Sequence, residues 1–255
     1  MNMPSSPSFT RLRHFNLAAA LLHLMSAITI IALANTFALP INANYMAGPP
    51  GTTSRQMYLF GGLRLAWLVG AFFVLSSVAH FLVAGPLRSR YEAHLGESRN
   101  PYRWLEYSLS SSLMIVAIAQ LTGISDIAAL LALVGVNASM IGFGALQERY
   151  EKPGGSLLPF WLGCAAGVVP WLAIGVYLIG PGAHQHAPGF VYGIYVSLFV
   201  AFNCFALVQY LQYRRVGRFA NYLVGEKTYL VLSLAAKSLL AWQIFASALA
   251  ATAAK

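Results

Sequence analysis

Seven apolar runs of close to 20 residues, parted by short polar connectors, constrain this chain more than any other feature of its sequence. An α-helix rises about 1.5 Å per residue, so about 20 apolar residues carry it across the hydrocarbon core of a bilayer. The runs fall at 15–38, 58–85, 103–123, 127–147, 157–179, 190–212 and 228–250. They predict an all-α membrane protein, a seven-transmembrane helix bundle forming a single domain over residues 1–255. Turn residues mark the breaks, among them Gly48-Pro49-Pro50-Gly51, Gly85-Pro86, Gly123, Pro153-Gly154-Gly155 and Gly180-Pro181-Gly182. The first run follows Arg11 and Arg13 and ends near Ala32 and Ala34, which imitates a secretory leader, but its length is that of a full span and it is expected to stay. With 58% hydrophobic and 9% charged residues, the chain is more apolar than one soluble core of this size can hide.

The few charges orient the bundle. On the side of the N-terminus lie Arg11, Arg13, Arg88, Arg90, Arg99, Arg103, Arg149, Lys152, Arg214, Arg215, Arg218 and Lys227, while Arg55, Arg64 and Lys255 lie opposite. Cytoplasmic connectors retain the excess of Lys and Arg, so the N-terminus is expected in the cytoplasm and the C-terminus outside a cell membrane. The same distribution excludes nucleic acid as the reason for a net charge of +9, since the basic residues sit in separate connectors and form no aromatic-laced face. Cys164 and Cys204 fall inside apolar runs and are expected to pack, without forming a disulfide.

Four ionisable residues are expected within the spans: His23, His80, Glu106 and Lys237. Counting rise from the nearest basic end places each of them roughly 10–15 Å into the membrane from the cytoplasmic side, in one layer. A buried lysine facing one carboxylate suits a protonated Schiff base, whose cationic imine needs a counterion in a low-dielectric site. Ser233 lies one helical turn from Lys237, and Ser110 one turn from Glu106. A purely structural Lys–Glu ion pair and core histidines satisfied by neighbouring helices fit the same residues, and residue chemistry alone leaves both open.

The helix segment Arg103-Trp104-Leu105-Glu106-Tyr107-Ser108-Leu109-Ser110-Ser111-Ser112 and the segment Ser233-Leu234-Ala235-Ala236-Lys237 resemble those of heliorhodopsins, as do His23, His80, Asn100 and Asn137-Ala138-Ser139-Met140. The resemblance spans the whole chain, and the inverted orientation agrees with it. It implies all-trans retinal bound to Lys237 as a Schiff base, Glu106 as counterion, and His23, His80 and Ser233 around it. It also implies a homodimer, an extracellular β-hairpin between Leu39 and Met57, and a slow photocycle suited to signalling through an unidentified cytoplasmic partner. Met140, Phe202 and Phe205 are expected to line the polyene, with Asn100, Ser110 and Asn137 as further site residues. Trp171 after Pro170 either marks a kink near the chromophore or fills the gap a proline leaves. Small residues at 128, 132, 135, 139 and 142 form a stripe that suits close helix contact, with a second copy or with an internal neighbour.

A light-sensing photoreceptor is therefore the leading expectation and a light-gated proton or ion channel the alternative. A pump is disfavoured because Glu106 is the only carboxylate within the expected spans, the others being assigned to connectors. No enzymatic motif stands out: there is no phosphate-binding Gly-rich loop, no nucleophile elbow and no Cys-x-x-Cys pair, and His184-Gln185-His186 is too small for a metal site. Broken helices paired at the midplane, expected of a transporter, are not visible either.

Overall fold

A computed structural model describes residues 7–52, 55–180 and 186–253. Pro181, Gly182, His184, Gln185 and Lys255, all invoked above, lie outside them. Among the described residues there are eight α-helices and one antiparallel β-hairpin: α1 (Pro7–Ala32), β1 (Ala38–Met46), β2 (Arg55–Arg64), α2 (Leu65–Ala84), α3 (Arg88–Gly96), α4 (Pro101–Leu121), α5 (Ile127–Tyr150), α6 (Leu158–Ile179), α7 (Gly189–Tyr213) and α8 (Tyr222–Ala253), with a 3-10 turn at Gly217–Ala220. Six of the helices are long and apolar enough to cross a membrane. The remaining two are α3, of nine residues, and α4, of 21, which carries Arg103 and Glu106 besides its serines.

The long helices close into a ring, α1 on α2, α2 on α4, then α5, α6, α7 and α8, which returns to α1. Phe72, Phe73, Ile115, Ile118, Ile174, Ile194, Leu198 and Leu240 fill its centre. The outside is equally apolar, with Met25, Leu131, Leu172 and Ile179 each more than 60% exposed. In water such a surface marks a partner or aggregation; against lipid it costs nothing, so helix packing here rests on close contact and hydrogen bonds between helices.

Helix ends follow local chemistry. Asn100 caps α4, its side chain accepting from the Arg103 backbone N–H at 3.1 Å, with Pro101 in the first turn where its missing N–H is harmless. Asp126 caps α5 by accepting from the N–H groups of Ala128 and Ala129. Gly180 ends α6 in the left-handed conformation that favours glycine.

Three of the expected spans shift markedly. The first helix runs from 7 to 32 instead of 15 to 38, and the last begins at 222 instead of 228. The second begins at 65, because Tyr58, Leu59 and Phe60 belong to β2, where they lie exposed; a short apolar run cannot by itself tell strand from helix. The hairpin is thus present and reaches Ala38 and Arg64, beyond the expected segment. Its register shifts between Ile41 and Asn42, opposite Gly61, whose φ of 141° suits glycine alone. Asn42 anchors β1 to the start of α5: its N–H donates to the Ser125 carbonyl and its side chain to Ser125 Oγ, both at 2.9 Å. At the opposite end of the ring, α3 turns an expected bare connector into a helix whose Tyr91 and Leu95 pack on Leu12 and Val83.

Candidate functional site

Lys237, on α8, is 3% exposed. Its Nζ donates to Glu106 Oε1 on α4 at 2.9 Å and to Ser233 Oγ, one turn earlier on its own helix, at 2.6 Å. The i, i+4 spacing that pointed to Ser233 therefore produces a contact. Ser76 on α2 donates a second hydrogen bond to the same Glu106 oxygen at 2.5 Å. The Tyr107 ring lies beside the ammonium at 5.5 Å, and its hydroxyl donates to the Tyr229 carbonyl at 2.9 Å, holding α4 against α8.

Beside this pair lies a cavity of about 120 Å³ lined by α4 to α8. Lys237, Ser233, Ser110, Met140, Phe202 and Phe205 all line it. Along α4 the lining residues are Trp104, Tyr107, Ser110, Ser111 and Met114, one face of a helix. The wall depends on missing side chains: a Cβ on Gly167 would stand 2.6 Å from Met140 Sδ. The lining is largely apolar and includes Lys237, whose amine can condense with an aldehyde. An apolar aldehyde such as retinal suits that chemistry, and the residues fit it.

The remaining expected site residues stand outside this cavity. Asn137 braces the wall from behind, donating to Ser111 Oγ at 2.7 Å and Ser112 Oγ at 3.1 Å. Trp171 packs beside the cavity against Tyr195, Phe199 and Phe202, filling space next to Pro170. His23 and His80 stack with ring centroids 5.5 Å apart. His80 Nδ1 lies 2.8 Å from Asn16 Oδ1, while His80 Nε2 and both nitrogens of His23 have no partner among the described residues. His80 and Glu106 face a second, smaller cavity, of about 40 Å³, together with Asn16, Asn100, Arg103 and Glu226. Glu106 therefore stands between an apolar chamber holding Lys237 and a polar one holding His80.

Asn100 belongs to a charged cluster in the wall of the polar chamber that the sequence did not announce. Arg103, on the first turn of α4, pairs with Glu148 of α5 at 2.6 Å and with Glu226 of α8, and its guanidinium lies 4.1 Å from the Tyr229 ring centroid. Glu148 accepts from Arg103, the Asn100 N–H, Trp104 Nε1 and Tyr222 OH, all between 2.6 and 2.8 Å. Asn100 Nδ2 donates to Glu226 at 2.6 Å. Both carboxylates, expected in connectors, are buried inside helices, because α5 continues to Tyr150 and α8 starts at Tyr222. Ser76, Asn16 and Trp104 were equally unforeseen. Only the spacing 104, 107, 111, 114 on one helix face signalled any of these in the sequence.

The small-residue stripe also resolves. Ala128, Ala132, Gly135, Ser139 and Gly142 all lie exposed on the outside of the ring, and a Cβ on Gly135 or Gly142 would meet nothing within 4 Å. It serves no internal neighbour.

Among solved structures, the chain is similar to the transmembrane domain and linker region of a rhodopsin phosphodiesterase from Salpingoeca rosetta, with a TM-score of 0.68 at 15% identity over 96% of this chain and 82% of that one. A light-driven proton pump rhodopsin from Coccomyxa subellipsoidea matches with a TM-score of 0.64 at 16% identity over 96% and 98% of the two chains. A thermophilic rhodopsin from Rubrobacter xylanophilus matches with a TM-score of 0.62 at 14% identity over 92% and 95%. At these identities the likeness is one of fold. No curated protein matches the sequence. The sequence pattern of the heliorhodopsins matches residues 12–249, nearly the whole ring with the lysine, its carboxylate and both chambers inside it, and the chain belongs to the heliorhodopsin family.

Proposed function

We propose that this heliorhodopsin is a light sensor that carries all-trans retinal as a protonated Schiff base on Lys237 and signals instead of pumping. Family membership makes it a multi-pass membrane protein of the retinal-binding rhodopsins. The observation that carries the finer reading is Lys237 Nζ, which lines the apolar cavity while holding Glu106 at 2.9 Å. When bound, retinal supplies light absorption and a change of shape. Glu106 neutralises the cation at the nitrogen, and the Ser233 and Ser76 hydroxyls fix the directions from which nitrogen and carboxylate are approached. His23 and His80 lie behind Glu106 with unpartnered nitrogens, placed to accept a proton and keep it within the protein.

All seven long helices are read as spans, α4 included, since its charges turn inward while Leu105 and Leu109 face out. The Lys and Arg distribution puts the N-terminus in the cytoplasm and the hairpin outside. In that frame Glu148 and Glu226 lie on the cytoplasmic side of Glu106, and the outer half holds one carboxylate, Asp126, already engaged in capping α5. A relay across the whole membrane thus lacks acidic groups on the outer side, which favours a sensor over a pump. The outward stripe on α5 suits a second copy as homodimer partner, and the exposed Arg214, Arg215 and Arg218 suit a cytoplasmic signalling partner. A light-gated channel is the second reading, favoured by the polar chamber between Glu106 and the Arg103 cluster.

Expression with all-trans retinal, followed by an absorption spectrum and by light-induced pH and current recordings, tests the reading. A coloured, electrically silent protein is expected. A sustained pH change would make it a pump, a photocurrent a channel, and a colourless product would remove retinal from the account.

A further inference from the structure

Two buried systems, the cavity at Lys237 and the charged cluster at the cytoplasmic end, are joined by a hydrogen bond from Trp104. Trp104 lines the cavity. Its indole Nε1 also donates to Glu148 Oε2 at 2.6 Å. The other donors to Glu148, namely Arg103, the Asn100 N–H and Tyr222, do not line the cavity. The indole has little freedom to yield in place, since the ring presses on α5 where residue 144 is glycine, and a Cβ there would stand 2.6 Å from the Trp104 six-membered ring. On the other side the Arg103 guanidinium lies 4.5 Å from the ring centroid. A rigid plate gripped by a neighbouring helix, with one edge in a cavity and its only polar atom on a buried carboxylate, moves that carboxylate when it is pushed.

We propose that Trp104 couples the contents of the Lys237 cavity to the Glu148–Arg103–Glu226 cluster, so that a change of shape in the cavity tilts the indole and loosens its bond to Glu148. Trp104 acts here as a positioning residue, since it touches the cluster and the cavity wall but neither Lys237 nor Glu106. Three helices would feel the change, because Arg103, Glu148 and Glu226 stand on α4, α5 and α8. Tyr229 also borders both regions, but it meets Arg103 with its ring face and makes no bond to Glu148.

The inference rests on the retinal reading for its light-driven part and is separable from it in the dark. In retinal-free protein, ultraviolet resonance Raman spectra should show one strongly hydrogen-bonded indole N–H that is lost in Trp104→Phe and weakened in Glu148→Gln. Gly144→Ala, which displaces the ring without altering its N–H, should shift the same band. In the pigment, light-minus-dark infrared spectra should contain a carboxylate band assigned to Glu148 by its loss in Glu148→Gln. Trp104→Phe retains an aromatic wall and should keep the visible absorption while losing that band. Absence of the N–H signature in the dark protein would overturn the contact itself. A Glu148 band unchanged in coloured Trp104→Phe, or no such band in coloured unsubstituted protein, would overturn the coupling, whereas failure of the unsubstituted protein to bind retinal would overturn the functional reading and leave the dark result standing.

Discussion

The two buried ionic sites of this protein differ in how many donors hold their carboxylates. Around Arg103 every carboxylate is held by several donors: Glu148 accepts four hydrogen bonds, and Glu226 pairs with both Arg103 and Asn100. Around Lys237 the cation meets one carboxylate and the Ser233 hydroxyl, and Ser76 holds the carboxylate from the other side; the apolar cavity lies on one flank and on the other stand two stacked imidazoles, of which only His80 Nδ1 has a partner among the described residues. A carboxylate held by four donors from several elements ties helices together, although Arg103 Nε has no hydrogen-bond partner among the described residues. An ion pair next to open volume and spare acceptors has room to react. Under the proposed function the first site serves structure and the second chemistry, and substitutions in each should fail differently.

The largest effect is expected at Lys237. Lys237→Ala should abolish visible absorption with retinal altogether while the purified protein remains a folded helical membrane protein by circular dichroism. Persistent colour, with borohydride trapping retinal on another lysine, would end the assignment.

At the cluster the damage should be to stability and leave colour in place. Glu148→Ala leaves the Arg103 charge partly uncompensated and buried, which typically costs about 3–5 kcal/mol, whereas Glu148→Gln keeps the shape and should cost less. Thermal unfolding followed by loss of the chromophore band ranks the two. If Glu148→Ala bleached the pigment without lowering its unfolding temperature, the division between a structural and a chemical site would collapse.

Glu106→Gln should be milder for folding and plain in the spectrum. Removing the one carboxylate beside Lys237 displaces the visible band or converts part of it to the near-ultraviolet absorption of an unprotonated imine. An unchanged spectrum and titration would point to another anion as counterion.

The smallest effect is expected for the histidines, and it should be kinetic. His23→Phe with His80→Phe preserves ring volume, so the dark spectrum should stay close to that of the unsubstituted protein. Flash spectroscopy should show altered formation or decay of the deprotonated state, and a pH dye in the bulk should remain silent with the unsubstituted protein. Unaltered kinetics would return both rings to the role of packing residues.

Much of the site was legible beforehand because its signals are local. Lys237 and Glu106 stand out as charges inside apolar runs, and Ser233 follows from helical spacing. Asn100 was legible as a residue but not in its place: it caps α4 and ties the helix start to Glu148 and Glu226, away from the cavity. Glu148 and Glu226 were misplaced because hydropathy dips near every helix end, whether the charged residue faces water or a buried partner. The strand character of Tyr58 to Phe60 was hidden for a related reason, since apolar length does not report period.

The sequence by itself determined that the chain forms long helices in a bilayer, because a backbone surrounded by lipid must satisfy its hydrogen bonds within the segment and apolar length measures that requirement directly. It also singled out Lys237, the only lysine inside an expected span, as the candidate centre of the chemistry. The tertiary structure alone decided which hydroxyls reach Glu106, that Ala128, Ala132, Gly135, Ser139 and Gly142 face outward, and that Trp104 joins two buried sites. Those outcomes depend on how each helix is rotated and tilted against its neighbours. Helical periodicity says which residues share a face, and only packing says what that face meets.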